Sequence, residues 1–422
     1  METPQLVTSE SGLPRIIILG AGFGGLFAAK ELGKLNAQVI VIDRQNYHLF
    51  QPLLYQVAGA ALSPSDVAWP IRSLLKRQKN THVVMAEVQD IHRNQNIVVT
   101  DHGEFEYDYL VVATGAQTSY FGHHEWARYS SGLKNLSDAT AIRERVLIAM
   151  ERAELSQSES ERRRLLTFII IGGGPTGVEM AGIIAELGKS AASSDFRRIS
   201  ANEFRVLLIE GGDRLLRTFP VKLNSYASKA LQELGVEVVT GAMVEEIDAD
   251  GVLLAGGCRE SGTVMWCAGV EPSSAARWLD VATKPDGRIA VTADLRLKAQ
   301  TEVFVIGDLA WCPDKKGKPL PGVAPVAKQQ GRFVARCLKN ELSGRATPGK
   351  FRYRNFGMLA TIGRGRAVAD FGRISTKGWL TWWFWGLCHI YFLIGRQSRL
   401  LVALKWLFEY LTFQRSSRLI VK

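Results

Sequence analysis

A chain of 422 residues, 46% hydrophobic and 22% charged, is long enough for two or three domains and apolar enough to bury sizeable cores. Its 52 lysines and arginines exceed its 41 acids, giving a net charge of +11. That excess suits nucleic acid, an anionic membrane face or anionic ligands. The absence of zinc-finger spacing and of a basic block at the N-terminus argues against nucleic acid. The five cysteines (Cys258, Cys267, Cys312, Cys337 and Cys388) form no Cys-x-x-Cys pair, and none lies near the first glycine loop. Zinc, a redox dithiol and a disulfide framework are therefore disfavoured, and isolated reduced thiols of a cytosolic protein are expected. Met1 to Leu13 is polar, with neither a secretory signal nor an arginine-rich transit peptide in view.

In chain order, an apolar run Arg15–Leu19 meets Gly20-Ala21-Gly22-Phe23-Gly24-Gly25, and a helix is expected from about Phe23 to Lys34. A second strand, Gln38 to Ile42, ends in Asp43, 21 residues past Gly22. That is the spacing from a phosphate loop to a ribose-binding acid. Continuous apolar strands of this kind suit a parallel sheet covered on both faces. Tyr109 to Val112 then runs into Ala113-Thr114-Gly115. The Ser-, Glu- and Arg-rich stretch Leu155 to Arg164 reads as a solvated connection.

The pattern repeats. Strand Phe168 to Ile171 meets Gly172-Gly173-Gly174-Pro175-Thr176-Gly177, a helix is expected from Thr176 to Leu187, and strand Arg205 to Ile209 ends in Glu210. Glu210 lies 36 residues past Gly174, so an insertion is expected across Lys189 to Asn202. Later strands cover Gly262 to Trp266 and Glu302 to Ile306, the latter ending in Gly307-Asp308.

A glycine loop between strand and helix brings backbone N–H groups and the helix N-terminus to a pyrophosphate. In each loop the first glycine (Gly20, Gly172) makes the tight turn and the next (Gly22, Gly174) permits close approach. The last (Gly25, Gly177) lets helix and strand pack. Asp43 and Glu210 take ribose hydroxyls, and a carboxylate at Glu210 repels a 2′-phosphate, which favours NADH over NADPH. Two such sites in one polypeptide imply two dinucleotides that exchange electrons. His48 and His389, with no metal-ligand spacing, are expected to be packed or hydrogen-bonded.

Four motifs carry a family resemblance: Tyr47-His48-Leu49-Phe50-Gln51-Pro52-Leu53-Leu54-Tyr55, Gly172 to Glu179, Phe304 to Asp308, and Ala324-Pro325-Val326-Ala327-Lys328-Gln329-Gln330-Gly331. From about Arg15 to Ile420 the chain resembles the type II NADH dehydrogenases, single-subunit NADH:quinone oxidoreductases that do not pump protons. The resemblance implies an α/β fold with two Rossmann-like dinucleotide-binding domains, one for FAD and one for NADH, plus a C-terminal helical membrane-associating region. The FAD domain would be discontinuous, at 13–120 and 276–344, with the NADH domain at 121–275 and the tail at 345–422.

The resemblance also assigns residues. FAD, held non-covalently, would contact Gly20, Gly22, Phe23, Gly24, Gly25, Asp43, Gln51, Pro52, Leu53, Thr114, Gly115 and Asp308. NADH would contact Gly172, Gly174, Pro175, Thr176, Gly177, Glu210 and Gly269. Glu179, expected in the first helical turn and stabilised there by the helix dipole, would face the nicotinamide and flavin and orient NADH or move a proton. Ala324, Ala327, Gln329 and Gln330 would meet the quinone, with Pro325 standing where the family often has glutamine. Gln329 is the contact most worth keeping.

Trp379 to Leu393 is too short to span a bilayer. Ser398 to Phe413 is expected as a helix. Its polar positions Ser398, Lys405, Glu409 and Thr412 share one side, and Leu400, Leu401, Leu404, Leu407, Phe408 and Leu411 make a wide apolar face. Basic residues Arg396, Arg399, Arg415, Arg418 and Lys422 flank it. This suits a peripheral, monotopic helix on an anionic membrane, at the cytoplasmic face of the inner membrane. A helix packed on the body or in a homodimer wants the same apolar face. The rival functions are a sulfide:quinone oxidoreductase, which needs two catalytic cysteines, a soluble ferredoxin-type reductase, and a flavin-containing signalling protein.

Overall fold

The computed structural model describes residues 12–298, 300–412 and 417–420. Phe413, Arg415 and Lys422 lie outside the described residues, as does the side chain of Arg396. The chain forms two compact units. The first takes the chain to His48, Trp69–Gln117 and Glu271–Asn355; the second takes Leu49–Ala68, Thr118–Val270 and the chain from Phe356.

The first unit is built on a six-stranded sheet in the order Arg296–Leu297, Gln300–Val305, Tyr109–Val112, Arg15–Leu19, Gln38–Asp43, Thr81–Met85. Five strands run parallel and Arg296–Leu297 is an antiparallel edge. The strand Gln300–Val305, far downstream in sequence, pairs Val303 with Leu110 inside this sheet. Ile16, Ile17, Ile18, Val111 and Phe304 are fully buried, each contributing roughly 1.5–3 kcal/mol of apolar transfer. Burial on both faces explains why these strands read as unbroken apolar runs. The helix Ala324–Leu342 packs on Phe23–Leu32. A three-stranded antiparallel sheet, Val88–His92, Ile97–Thr100 and Gly103–Glu106, is inserted before Tyr109.

The second unit repeats the design. Its five-stranded parallel sheet has the order Ser130–Gly132, Thr263–Trp266, Thr167–Ile171, Arg205–Glu210, Val236–Thr240. It carries its own three-stranded antiparallel insertion, Val244–Asp248, Gly251–Leu254 and Arg259–Glu260.

Two expectations shift. Glu159–Leu165 is a helix, not a bare connection: Ser158 accepts from the N–H of Glu161 at 3.3 Å, acids open the helix and three arginines close it. The helix after the second loop runs Pro175–Ser194, well past Leu187, and takes up part of the long interval before Glu210.

The tail begins with an antiparallel sheet, Met358–Thr361, Ala367–Asp370 and Ser375–Gly378, followed by helices Trp379–Phe392 and Arg396–Thr412. Trp385 stacks on Trp406 with centroids 5.4 Å apart. Among the described residues, no helix is long and apolar enough to cross a membrane.

Candidate functional site

The two glycine loops have the same geometry. Gly20 (φ +90°) and Gly172 (φ +108°) follow their strands and donate to Ile42 O at 2.8 Å and Ile209 O at 2.7 Å. A Cβ on Gly25 would stand 1.8 Å from Gly20 O, and a Cβ on Gly177 would stand 1.8 Å from Gly172 O. No other residue lets helix and strand come so close. Gly22 and Gly174 are the N-caps of Phe23–Leu32 and Pro175–Ser194; beside each there is open space, with no atom within 4 Å of an added Cβ. Neither helix has an acid in its first turn or a side-chain cap. Each N-terminus is thus an uncovered, partly positive end fit for a pyrophosphate.

The acids are locked in matching positions. Asp43 accepts from Ala21 N at 2.6 Å and Gln45 N at 2.8 Å. Glu210 accepts from Gly173 N at 2.6 Å and Gly212 N at 2.7 Å. Burial raises the Asp43 pKa, and the two amide bonds oppose that shift. In both sites the residues present fit a dinucleotide: an open glycine at a bare helix end, and a carboxylate fixed beside it.

Around the first loop, in the first unit, Phe23 meets His48 edge-on at 5.2 Å. His48 is buried, donates from Nδ1 to Ala21 O at 2.8 Å, and has its pKa lowered by burial to about 4, so it is neutral. Its role in holding the loop fits a packed histidine. Gly115 (φ +69°) lies three residues past the Tyr109–Val112 strand, and Thr114 Oγ1 bonds Ser273 Oγ at 2.6 Å. Asp308 lies in the turn Gly307–Leu309, and Gly24 faces Ile306, whose Cδ1 would stand 3.0 Å from an added Cβ.

The glutamine pair on Ala324–Leu342 is engaged by backbone. Gln330, 1% exposed, accepts from Gly307 N at 2.6 Å and so holds the Asp308 turn. Gln329 donates to Arg354 O and accepts from Arg354 N, both at 2.9 Å. Ala324 opens this helix and Ala327 packs beside Gly307. Sequence reasoning missed this backbone work; the signal was that the motif opens the next helix after the Gly-Asp turn.

In the second unit, Pro175 occupies the first helical position, Thr176 is exposed, and Gly269 O accepts from Ser119 N at 3.1 Å. Glu179 departs from expectation. It sits one turn in, accepts from Thr361 N at 3.3 Å, and burial pushes its pKa up to about 8. Desolvation outweighs the helix dipole, so the carboxyl is protonated at neutral pH. Gln51, Pro52 and Leu53 form a short 3-10 turn in this same unit, where Gln51 donates to Lys134 O at 3.1 Å. The helix that follows, Leu54–Ala58, packs on Pro175–Ser194, with Ile183 against Gly59.

Three of the thiols are held protonated and are poor nucleophiles. Burial raises Cys267 to about 12 and both Cys312 and Cys337 to about 11. Reactive cysteines require the opposite shift. His389, stacked on Trp385 at 4.3 Å and donating to Trp385 O at 2.8 Å, is likewise neutral.

The tail helix Arg396–Thr412 is turned inside out. Ser398 is 1% exposed, Lys405 reaches Asp66 Oδ2 at 2.6 Å and Ser63 Oγ at 3.1 Å, and Trp406 Nε1 donates to Gln56 Oε1 at 2.8 Å. Leu400, Leu401, Leu404, Leu407, Phe408 and Leu411 point to the outside, as do Trp379, Leu380 and Leu387 of the preceding helix. Of the flanking cations, Arg399 donates to Leu393 O at 2.8 Å and Arg418 pairs with Asp195.

A family model described as pyridine nucleotide-disulphide oxidoreductase matches residues 14–331, and one described as NDH2 C-terminal domain matches 356–415. A type II NADH:quinone oxidoreductase of Mycobacterium tuberculosis is 38% identical over 417 residues, covering 95% of this chain and 89% of the relative. The chain belongs to the type II NADH:quinone oxidoreductases. A member from Staphylococcus haemolyticus is 30% identical across 83% of this chain and 87% of its own length. The fold matches a structure of Plasmodium falciparum NDH2 in complex with NADH at TM-score 0.90 and 21% identity, covering 97% of this chain and all of that one. A sulfide:quinone oxidoreductase of Aquifex aeolicus follows less closely, at TM-score 0.71 and 18% identity, over 97% and 96% of the two chains.

Proposed function

We propose that this chain transfers two electrons from NADH to a membrane quinone, with FAD as the resident carrier and without pumping protons. The observation that supports it most is the pair of matching glycine loops, each with its own fixed acid. The first loop, with Asp43, Thr114, Gly115 and the distant Asp308, holds FAD. When bound, FAD supplies a reversible two-electron store between the two substrates. The second loop, with Pro175, Thr176, Gly177 and Gly269, holds NADH, and Glu210 binds its adenosine ribose and disfavours a 2′-phosphate.

Quinone reduction consumes protons as well as electrons. Glu179 carries a proton at its carboxyl at pH 7 and is suited to supply one. Ala324, Ala327, Gln329 and Gln330 are the quinone-side set; Gln329 acts there by fixing the backbone at Arg354. The protonated, buried thiols speak against the sulfide-oxidising alternative.

Membrane attachment is part of the same proposal. A helix whose polar side faces the protein and whose leucines face out is built for apolar surroundings. Packing on the body, the competing expectation, does not cover those leucines. The peripheral protein then sits on the cytoplasmic face of the inner membrane. An anaerobic titration tests the core of the reading. NADH should bleach the yellow flavin band, and added quinone should restore it; a band that NADH leaves unchanged overturns it.

A further inference from the structure

Within the second unit, the helix Val221–Glu233 and the C-terminal sheet border a cleft of about 550 Å³ that neither glycine loop lines. Its walls carry Lys222, Lys229, Arg366 and Lys377 around Tyr226, with one carboxylate, Glu233. Glu233 is already paired with Arg366 at 2.7 Å, and Arg366 also donates to Ala230 O at 3.2 Å, which fixes the guanidinium in the wall. Lys377 Nζ lies 5.1 Å over the Tyr226 ring. Among the described residues, Lys222, Lys229 and Lys377 form no ion pair. Three uncompensated ammonium groups therefore converge on one concave surface, which an anion with several oxygens would neutralise.

The position of the cleft selects the anion. Lys377 is followed by Gly378, whose added Cβ would stand 3.9 Å from the Tyr226 hydroxyl, and then by Trp379, the first residue of the outward-facing apolar helix. Trp379 and Leu380 are more than half exposed. A phosphate in the cleft adjoins a surface made for hydrocarbon. Of the tail's described flanking cations, Arg418 is paired with Asp195 and Arg399 is held by Leu393 O, whereas the three lysines of the cleft carry unpaired charge beside the apolar helix.

We propose that this cleft binds the phosphate of an anionic phospholipid headgroup. The inference rests on the membrane-attachment reading above and adds the lipid class and the residues that select it. Its test sediments the full-length, flavin-loaded protein with vesicles of phosphatidylcholine alone or with about one-third phosphatidylglycerol. Wild type should prefer the anionic vesicles by on the order of tenfold, given the contribution of each cation near a charged surface. Lys229→Glu/Lys377→Glu should bind both vesicles equally. Lys76→Glu/Lys79→Glu, an equal charge change in the other unit, should keep the preference, as should Lys229→Arg/Lys377→Arg. A cleft variant that retains the preference, or a remote variant that loses it equally, overturns the site. Wild type that sediments with neither vesicle overturns the membrane reading itself. A second arm follows thermal stability with short-chain phosphatidylglycerol or inorganic phosphate. Stabilisation by the lipid alone, lost in the Glu variant, supports the proposal; equal stabilisation by inorganic phosphate makes the cleft a free-phosphate site and overturns the lipid assignment.

Discussion

Glu179 shows how one residue's chemistry is set by its surroundings. Its carboxyl has an ordinary value of 4.5 and is raised by burial to about 8. Between those values the folded state binds a proton that the unfolded state has lost, so stability falls as pH rises through that window. Glu179→Gln removes this slope. The variant should match wild type near pH 4 and exceed it at pH 9, by up to a few kcal/mol, read as apparent thermal stability across pH. The same proton makes quinone-dependent kcat fall above about pH 8 in wild type. In the glutamine variant kcat should drop on the order of tenfold to a hundredfold and lose that limb, while NADH still bleaches the flavin. A wild-type profile that stays flat to pH 9 would remove Glu179 from proton delivery. Nothing in the sequence announces this shift: position near a helix start predicts dipole stabilisation, and only desolvation in the fold reverses it, against the opposing bond from Thr361 N.

At the scale of elements, local signals were legible where backbone chemistry demands particular residues. Gly25 and Gly177 are readable because a 1.8 Å approach admits no Cβ. Asp43 and Glu210 are readable because a strand end must hold the loop amides. The helix Glu159–Leu165 was missed because its composition resembles a solvated linker, although Ser158 and the acid-to-arginine order mark a helix. The latch between the tail helix and the segment 54–68 was not legible, since Lys405 and Asp66 lie 339 residues apart. Asp66 is buried, and Lys405 is its ion-pair partner beside the hydrogen bonds it accepts from Ser63 N and Oγ. Lys405→Met should leave the carboxylate with only its bonds from Ser63 N and Ser63 Oγ and lower stability by roughly 1–3 kcal/mol, below the full cost of breaking a buried pair because those bonds remain and Lys405 is partly exposed. Asp66→Asn in that background should recover much of the loss. Thermal unfolding of both variants checks this, and a single variant as stable as wild type would show that the pair contributes nothing.

At the scale of the molecule, that latch alters the choice of experiment for membrane attachment. Deleting 378–422 would release the protein from membranes but would also expose Gln56 and Asp66, so it perturbs more than anchoring. Leu400→Glu/Leu404→Glu changes only side chains that face outward. This variant should keep NADH–dye activity and the flavin spectrum and lose vesicle binding by at least tenfold, since each charge replaces apolar area worth more than 1 kcal/mol. Retained sedimentation with vesicles would sink the anchoring role of this face.

The sequence by itself determined the two glycine loops, their acids and the parallel strands behind them. These follow from short-range requirements: a bare helix end, a close glycine contact, an unbroken apolar run. It also carried enough of the family's motifs to indicate the reaction. Only the tertiary structure decided what depends on residues distant in the chain. It placed Gln300–Val305 inside the first sheet, committed Gln329 and Gln330 to backbone, and raised the pKa of Glu179. It also turned the polar side of the last helix inward and gathered Lys222, Lys229 and Lys377 around one cleft. Burial and charge convergence are sums over neighbours in space, and spacing along a chain does not fix them.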